Sequence, residues 1–596
     1  MADPLSEYSK CLADRLEIAS RNERSHLRIG NLKLLTIAVG LVLVWLSWSR
    51  GLFSFYWVLV LVAAYAALAV MHERVLRARS RAETAAAFYR RGIARIEDRW
   101  AGRGEPGERF RDAKHVYADD LDLFVRGGLF ELLSTARLPM GESRLAQWLK
   151  QPSPIATVKE RHVLLAELRE KTTLREDLAV IGEDLRGRLN PESLIAWAEG
   201  GLAPPQHLLR IVAVLISLCM AAALVNYFRT LNYFPVLVLL LLEKVIYSIF
   251  QRRINSGLAK YPANGEGILL FAEILARFET EAFVSPRLQE FSAELKQGDV
   301  TGSSAIRKLA RVVEWIDGRG SLLAKILEWL TLYSLQVALA AEAWRRKYGN
   351  KMRLWVEITA EMEALLSLAA YSHEHPADSF PEIVETTEPG TIFNGEEIGH
   401  PLIPSARCVR NSVRLDGETR VLLISGSNMS GKSTLLRTVG INTVLAFAGA
   451  PVRAKSLRIT PLSLGTRIRS GDSLQEGLSN FYAEILRIRD VFELTSGGKP
   501  LLFLFDELLE GTNSSDRRIG AESLVRALLD RYAIGMITTH DLALTEIASR
   551  YGTLIRNAHF QDFVENGQMR FDYKLHEGVV TKSNAIELMR MIGLKI

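Results

Sequence analysis

The sequence predicts an all-α domain followed by a C-terminal α/β domain with a predominantly parallel central sheet, and two transmembrane helical hairpins set into the helical part. Three observations predict it. Uncharged apolar runs come in two pairs, 34–48 with 51–71 and 211–228 with 233–242. Around them, apolar residues recur at helical spacing with charges between, as in KLARVVEWIDGRGSLLAKILEWLTLYSLQVALAAEAWRRKYG. From about residue 391, apolar strand-like runs alternate with helix-like ones.

The totals agree with several ordinary domains: 596 residues, 48% hydrophobic and 24% charged. Such a composition excludes bulk disorder. The net charge of +6 suits nucleic acid, but it suits cytoplasmic membrane flanks equally well. Cys11, Cys219 and Cys408 are far apart and form neither a disulfide framework nor a metal pattern, which fits a reducing compartment.

The runs 51–71 and 211–228 are each about long enough to cross ~30 Å of hydrocarbon as a helix. The run 34–48 is shorter, and Lys33 and Arg50 can snorkel from its ends. The fourth run continues through Glu243 and Lys244 and is the weakest of the four. Aromatic residues crowd the turns: Trp45, Trp48, Phe53, Phe55, Tyr56 and Trp57 in the first hairpin, Tyr227, Phe228, Tyr233 and Phe234 in the second. Basic residues crowd the opposite ends, including Arg21, Arg24, Arg28, Arg74, Arg77, Arg79, Arg252 and Arg253. The positive-inside rule then puts both termini and the middle of the chain in the cytoplasm, at the cytoplasmic membrane with lipid as a partner. The competing reading is that these runs are buried core helices of a soluble protein.

VLLISGSNMSGKSTLL contains G-x-x-x-x-G-K-S between a strand-like and a helix-like run. The phosphate-binding candidates are Gly426, Ser427, Asn428, Met429, Ser430, Gly431, Lys432, Ser433 and Thr434. Glycines let the loop turn tightly with its N–H groups facing phosphate oxygens. Lys432 would reach the β and γ phosphates of ATP, and the Ser433 hydroxyl would bind Mg²⁺. PLLFLFDELLEGT then supplies an apolar strand ending in Asp506, for Mg²⁺, and Glu507, placed as general base for an attacking water. A third strand, AIGMITTHD, ends at His540, where a histidine could sense the γ-phosphate.

GSNMSGKST, DELLEGTNSSD and TTHD, in this order, resemble the ATPase domain of the MutS family of DNA mismatch-repair proteins. TRIRSGDSLQEGLSNFYAEI, residues 466–485, is similar to that family's segment between the two Walker motifs, where a serine at a helix start caps the nucleotide of the opposite subunit. Ser479 matches that serine, followed by Asn480, Phe481 and Glu484. The stretch from Asn557 resembles the closing strands and helix of the same domain, and residues 128–152 and 357–376 resemble the start and end of the family's helical core. The resemblance implies an α/β P-loop NTPase domain of ABC/MutS type behind an all-α domain like the MutS core. It implies ATP and Mg²⁺ as cofactors, a homodimer through the ATPase domains, and DNA as a partner. The family's mismatch-reading domain and DNA clamp have no counterpart here. The aromatic position that stacks on adenine in relatives falls near Cys408.

The expected organisation is a first hairpin (about 34–71) with a basic helix in 1–110, helical core in 111–206, second hairpin in 207–253, further core and lever-like helices in 254–390, and the ATPase domain in 391–596. The function expected is a membrane-anchored ATPase in which Ser479 of one protomer completes the Lys432 and Glu507 site of the other. Three roles follow for it: DNA binding as in the family, a mechanical or signalling switch at the membrane without nucleic acid, or ABC-like transport. Four helices with almost no charge in the bilayer argue against a polar conduit.

Overall fold

The computed structural model describes residues 3–50, 56–200, 207–258, 265–298, 300–318, 322–385, 390–427, 429–468, 480–509, 513–565 and 568–580. Phe53 and Phe55 of the first turn, Asn428, Ser479 and the closing helix expected beyond residue 580 lie outside them.

Two helices, Pro4–Arg50 and Tyr56–Ile96, run antiparallel as one long hairpin. Its two halves differ as the sequence does. Leu34, Leu41, Trp45 and Trp48 expose most of their apolar surface, and Trp48 is 92% exposed. Further down the stem, Ala82, Ala85, Ala86, Phe88 and Tyr89 are buried, and the small residues allow close approach to the helix Thr172–Leu185. The stem is fastened by charge. Arg95 donates to Glu374 through Nε and Nη2, each at 2.5 Å, with both side chains buried. Tyr8 and Arg175 join this cluster, with Arg175 Nη1 donating to Tyr8 Oη at 3.2 Å.

Three helices among the described residues are long and apolar enough to cross a membrane: Pro4–Ser49, Tyr56–Ile96 and Leu209–Thr230. The fourth arm, Phe234–Leu258, is a helix that carries Glu243 and Lys244 near its middle. The helix His207–Thr230 is also not free on all sides. Ala213, Ile216, Met220 and Ala223 form one buried face, and Ser217 Oγ accepts from Gln336 Nε2 at 3.1 Å.

The lever-like stretch is three helices, Gly302–Asp317, Leu322–Thr331 and Tyr333–Tyr348. Leu332, at φ 51°, breaks the last two apart, a left-handed conformation that a helix interior cannot contain. Its aromatic residues divide: Trp344 and Tyr348 are core, whereas Trp315 and Trp329 are exposed.

The helix Met352–Glu374 is the buried axis of the helical domain. Its Glu363 accepts from the backbone N–H of Arg137 at 3.1 Å and of Leu138 at 3.4 Å. Oε2 has no donor among the described residues. Burial pushes this carboxyl up to about 8.

Among the described residues ten strands follow: β1 (Glu382–Ile383), β2 (Phe393–Ile398), β3 (Asn411–Leu415), β4 (Val421–Ser425), β5 (Ser456–Ile459), β6 (Ser463–Arg467), β7 (Leu501–Phe505), β8 (Ile534–Thr539), β9 (Ile555–Glu565) and β10 (Gln568–Glu577). They form a four-stranded sheet, β1-β5-β2-β3, and a six-stranded sheet, β10-β9-β4-β8-β7-β6. The larger sheet is parallel apart from the β9–β10 pair. β4, β7 and β8 are buried along their whole length, so they read as continuous apolar runs. One hydrophobic core runs from Leu121 and Leu129 in the helical domain to Leu436 and Leu502 in the α/β domain.

Glu363 yields a stability prediction. Its folded pKa lies above the ordinary value of 4.5, so between about 4.5 and about 8 the folded chain holds one more proton than the unfolded chain. Stability from this group therefore falls as pH rises through that window. Glu363→Gln is expected to flatten the slope, read as the thermal midpoint against pH in detergent.

Candidate nucleotide site

β4 ends at Ser425, and the chain then turns through Gly426 (φ 153°), Met429 (φ 72°) and Gly431 (φ 107°) into the helix Lys432–Ala448. Gly426 is needed on two counts. Its φ is left-handed, and a Cβ there would lie 2.9 Å from Ser430 Oγ and 3.2 Å from Phe560 O. Gly431 precedes the first helical residue without a side-chain cap, so the first turn keeps its free N–H groups toward the cleft. Lys432 Nζ donates to Gly426 O at 2.8 Å and to Ser427 O at 2.9 Å, which folds the lysine back over its own loop. The buried hydroxyls of Ser427 and Ser430 have no partner among the described residues. Buried polar groups of this kind need acceptors or donors, and phosphate oxygens would supply them together with the helix N-terminus.

β7 delivers Asp506 and Glu507 at its C-terminal end. Thr538, on neighbouring β8, donates its hydroxyl to Asp506 Oδ1 and accepts from Glu507 N at 3.0 Å. Arg467 at the end of β6 donates through Nη1 to Asp506 O at 2.5 Å and stands 3.3 Å from Glu484 Oε2. Glu484 Oε1 in turn accepts from Leu509 N at 2.8 Å. Glu507 sits at φ 49°, a conformation that costs a non-glycine residue of order 1–3 kcal/mol and persists because its surroundings hold it. His540 follows β8 and places Nδ1 3.8 Å from Glu507 Oε1.

Parallel pairing of β4 with β8 and of β8 with β7 puts all three strand ends on one edge, where ligands bind in sheets of this kind. There the structure brings together Met429, Gly431, Lys432, Ser433, Thr434, Asp506 and Glu507 around a cleft of about 350 Å³. Ser433 and Asp506 would be the protein ligands of a Mg²⁺ ion, which keeps water and phosphate for its remaining positions.

An aromatic residue completes the cleft, and local sequence reasoning missed it. Tyr573 lies on β10 at φ 55°, inside a register shift between Phe571 and Leu575. Asn411 pins that bulge, donating to Tyr573 O at 3.0 Å and accepting from Leu575 N at 2.8 Å. The ring lies against Gly431, where a Cβ would come within 3.2 Å of it. It walls both the phosphate cleft and an adjoining cavity of about 160 Å³ that His400, Cys408, Val409 and Asn411 also line. Burial and the nearby Arg437 and Arg453 lower His400 to about 4, which keeps it neutral. Cys408 is therefore beside the cavity as the resemblance expects, and the aromatic ring there comes from another strand.

Residues 422–595 match the MutS domain V family. The chain is 37% identical over 203 residues to a protein named Endonuclease MutS2 from Thermus thermophilus, covering 33% of this chain and 25% of that relative. It is 30% identical over 273 residues to a DNA mismatch repair protein MutS from Staphylococcus aureus, covering 44% of this chain and 30% of the relative. The chain thus spans less than a third of the length of either relative.

Thr538 carries two of the contacts that hold the acidic pair. Thr538→Val removes a hydrogen bond to a carboxylate and leaves Glu507 N without its acceptor. The expected cost is about 1.5–3 kcal/mol, measured as a lower thermal midpoint with unchanged secondary structure.

Proposed function

We propose that this chain, whose residues 422–595 match MutS domain V, is a membrane-anchored MutS-like ATPase that binds and hydrolyses Mg-ATP at a composite dimer interface. MutS domain V is an ATPase-type domain. The observation that carries the catalytic reading is the convergence of Lys432, Ser433, Asp506 and Glu507 on one cleft at the strand ends. The backbone amides and Lys432 neutralise phosphate charge, Asp506 and Ser433 hold the ion, and Glu507 takes a proton from water. His540, beside Glu507, is placed to register the γ-phosphate. The Tyr573 ring and the neutral cavity behind it suit an adenine base. Ser479 of one protomer completes the site of the other.

The membrane reading rests on the exposed apolar halves of the first hairpin and on the outer face of His207–Thr230. A surface bearing Leu34, Leu41, Trp45, Trp48, Leu218 and Phe228 exceeds what a water-soluble protein exposes without a partner. Lipid covers it, and the basic flanks put the ATPase domain and both termini in the cytoplasm.

For the object of the cycle, the relatives' names point to DNA, the first reading. The second is an ATP-driven mechanical switch at the membrane. It is favoured by the buried Arg95–Glu374 contact, which ties the hairpin stem to the helix leading into the ATPase domain. A gel shift at ~50 mM salt separates them, because phosphate contacts are strongest there. Binding to no form of DNA removes the first.

The enzyme itself has a sharper test. Lys432→Ala should abolish nucleotide binding. Glu507→Gln should bind Mg-ATP and slow hydrolysis by roughly 10²–10⁴-fold. Normal turnover in Glu507→Gln would show the base to be another group. Tyr573→Ala should weaken ATP binding more than it weakens inorganic triphosphate binding, measured by calorimetry.

A further inference from the structure

The turn 114–122 leads from the hairpin stem into the helical domain, and it touches two sides of the nucleotide site. On one side is the helix that begins at the P-loop. Its Arg437 pairs with Asp122 at 3.2 Å, and its Gly440 packs so closely on Leu121 that a Cβ would lie 2.6 Å from the leucine side chain. On the other side is the end of β6. Thr466 N donates to Val116 O at 3.0 Å, and the Thr466 hydroxyl donates to the buried Asp120 at 2.6 Å.

Arg487 closes the arrangement. It belongs to the helix Asn480–Glu493, which starts immediately after Ser479. Its Nε donates to Thr466 O at 3.1 Å and its Nη2 to His115 O at 2.8 Å, with Asp120 Oδ2 3.7 Å away. One planar guanidinium thus joins three segments: β6, the turn and the helix. The next residue on β6 is Arg467, which holds the Asp506 carbonyl. The turn is itself stiff, since Tyr117 Oη donates to Leu149 O at 3.1 Å and the His115 ring bonds Lys150 O at 3.0 Å.

We propose that Arg487 is a positioning residue for the nucleotide site, and that the turn 114–122 is where a change at that site reaches the helical domain and the hairpin stem. This rests on the ATPase reading. When the helix after Ser479 moves relative to the P-loop helix, the turn between them must follow one of the two. Arg487 makes it follow β6 and the helix Asn480–Glu493, while Asp122 and Leu121 bear on the P-loop helix.

The test uses the full chain in nanodiscs. Arg487→Ala should lower kcat about tenfold while ATP affinity changes by less than about twofold. The change in amide exchange that Mg-ATP brings to 114–122 should vanish. Arg487→Lys keeps the charge and loses the planar fork, so it should recover only part of the rate. Should Arg487→Ala fail to fold, Asp120→Asn removes the charge facing the fork, keeps an acceptor for Thr466, and should reduce the same exchange response. A merely structural role would lower stability and leave the exchange response in place. Arg487→Ala with wild-type kcat and an intact response at 114–122 overturns the proposal. Wild-type protein that binds Mg-ATP without any response in that turn also overturns it and leaves the ATPase reading standing. Wild-type protein that binds no Mg-ATP overturns both.

Discussion

The contact between Arg95 and Glu374 is the constraint on which the rest of the molecule depends. Arg95 lies in the last turn of the hairpin's returning helix, and Glu374 ends the buried axis of the helical domain, a few residues before the first strand of the α/β domain. Three parts of the chain meet there. A buried ion pair gives little net stability, because desolvating both charges offsets most of their attraction. What it gives is a cost for any other arrangement. Sliding the stem by one helical turn would leave a buried charge without its partner, a loss of about 3–5 kcal/mol. Apolar packing alone tolerates such slips, and the alanine-rich face of the stem is smooth enough to allow them. Charge sets the register of the hairpin on the core.

The same logic recurs at the cleft on a smaller scale. Asp506 and Glu507 are adjacent in the chain but need different environments. Asp506 is buried with its carboxylate bonded by Thr538, whereas Glu507 is turned out by a left-handed backbone toward His540. The threonine hydroxyl serves both residues, donating to one side chain and accepting from the other's N–H. A valine on β8 would fill nearly the same volume and hold neither. The strain at Glu507 is thus maintained by a residue from the neighbouring strand, one position beyond the last parallel pair, Phe505 with Ile537.

Much of this was legible in the sequence, for a physical reason. The P-loop, the acidic pair and the apolar strands are local: each is written in consecutive residues, and parallel pairing gathers their ends without further information. The first hairpin is equally local, because length and absence of charge are properties of a window. What was not legible depends on distant pairings. Tyr573 reaches Gly431 only because a bulge on β10, pinned by Asn411 of β3, aims it there, while reading near Cys408 found no aromatic residue. Thr538 and Arg467 look like ordinary strand residues until register places them beside Asp506. The break at Leu332 carries no glycine or proline to announce it, so the boundary between its two helices was not placed. In the second hairpin Glu243 already weakened the fourth arm, and the packing of Ser217 against Gln336 shows the third arm to be shared between the core and the outside.

These connections make the stem part of the frame of the helical and α/β domains rather than a loosely joined appendage. A flexible anchor would need no buried contact at its base, and a tail-like linker would separate it from the ATPase domain. Here the path from cleft to hairpin has no slack among the described residues. Asp506 is held by Arg467, Thr466 binds the turn 114–122, and that turn continues into the chain segment that leaves the hairpin at Ile96. On the other route, the α/β domain begins just beyond Glu374, which grips Arg95. Two routes converge on the same helix end from different sides of the site. A movement that displaced one without the other would have to break either the buried ion pair or the Asp120–Thr466–Arg487 cluster. The stem and the α/β domain are therefore joined by two separate sets of buried contacts, and the apolar arms continue from the stem.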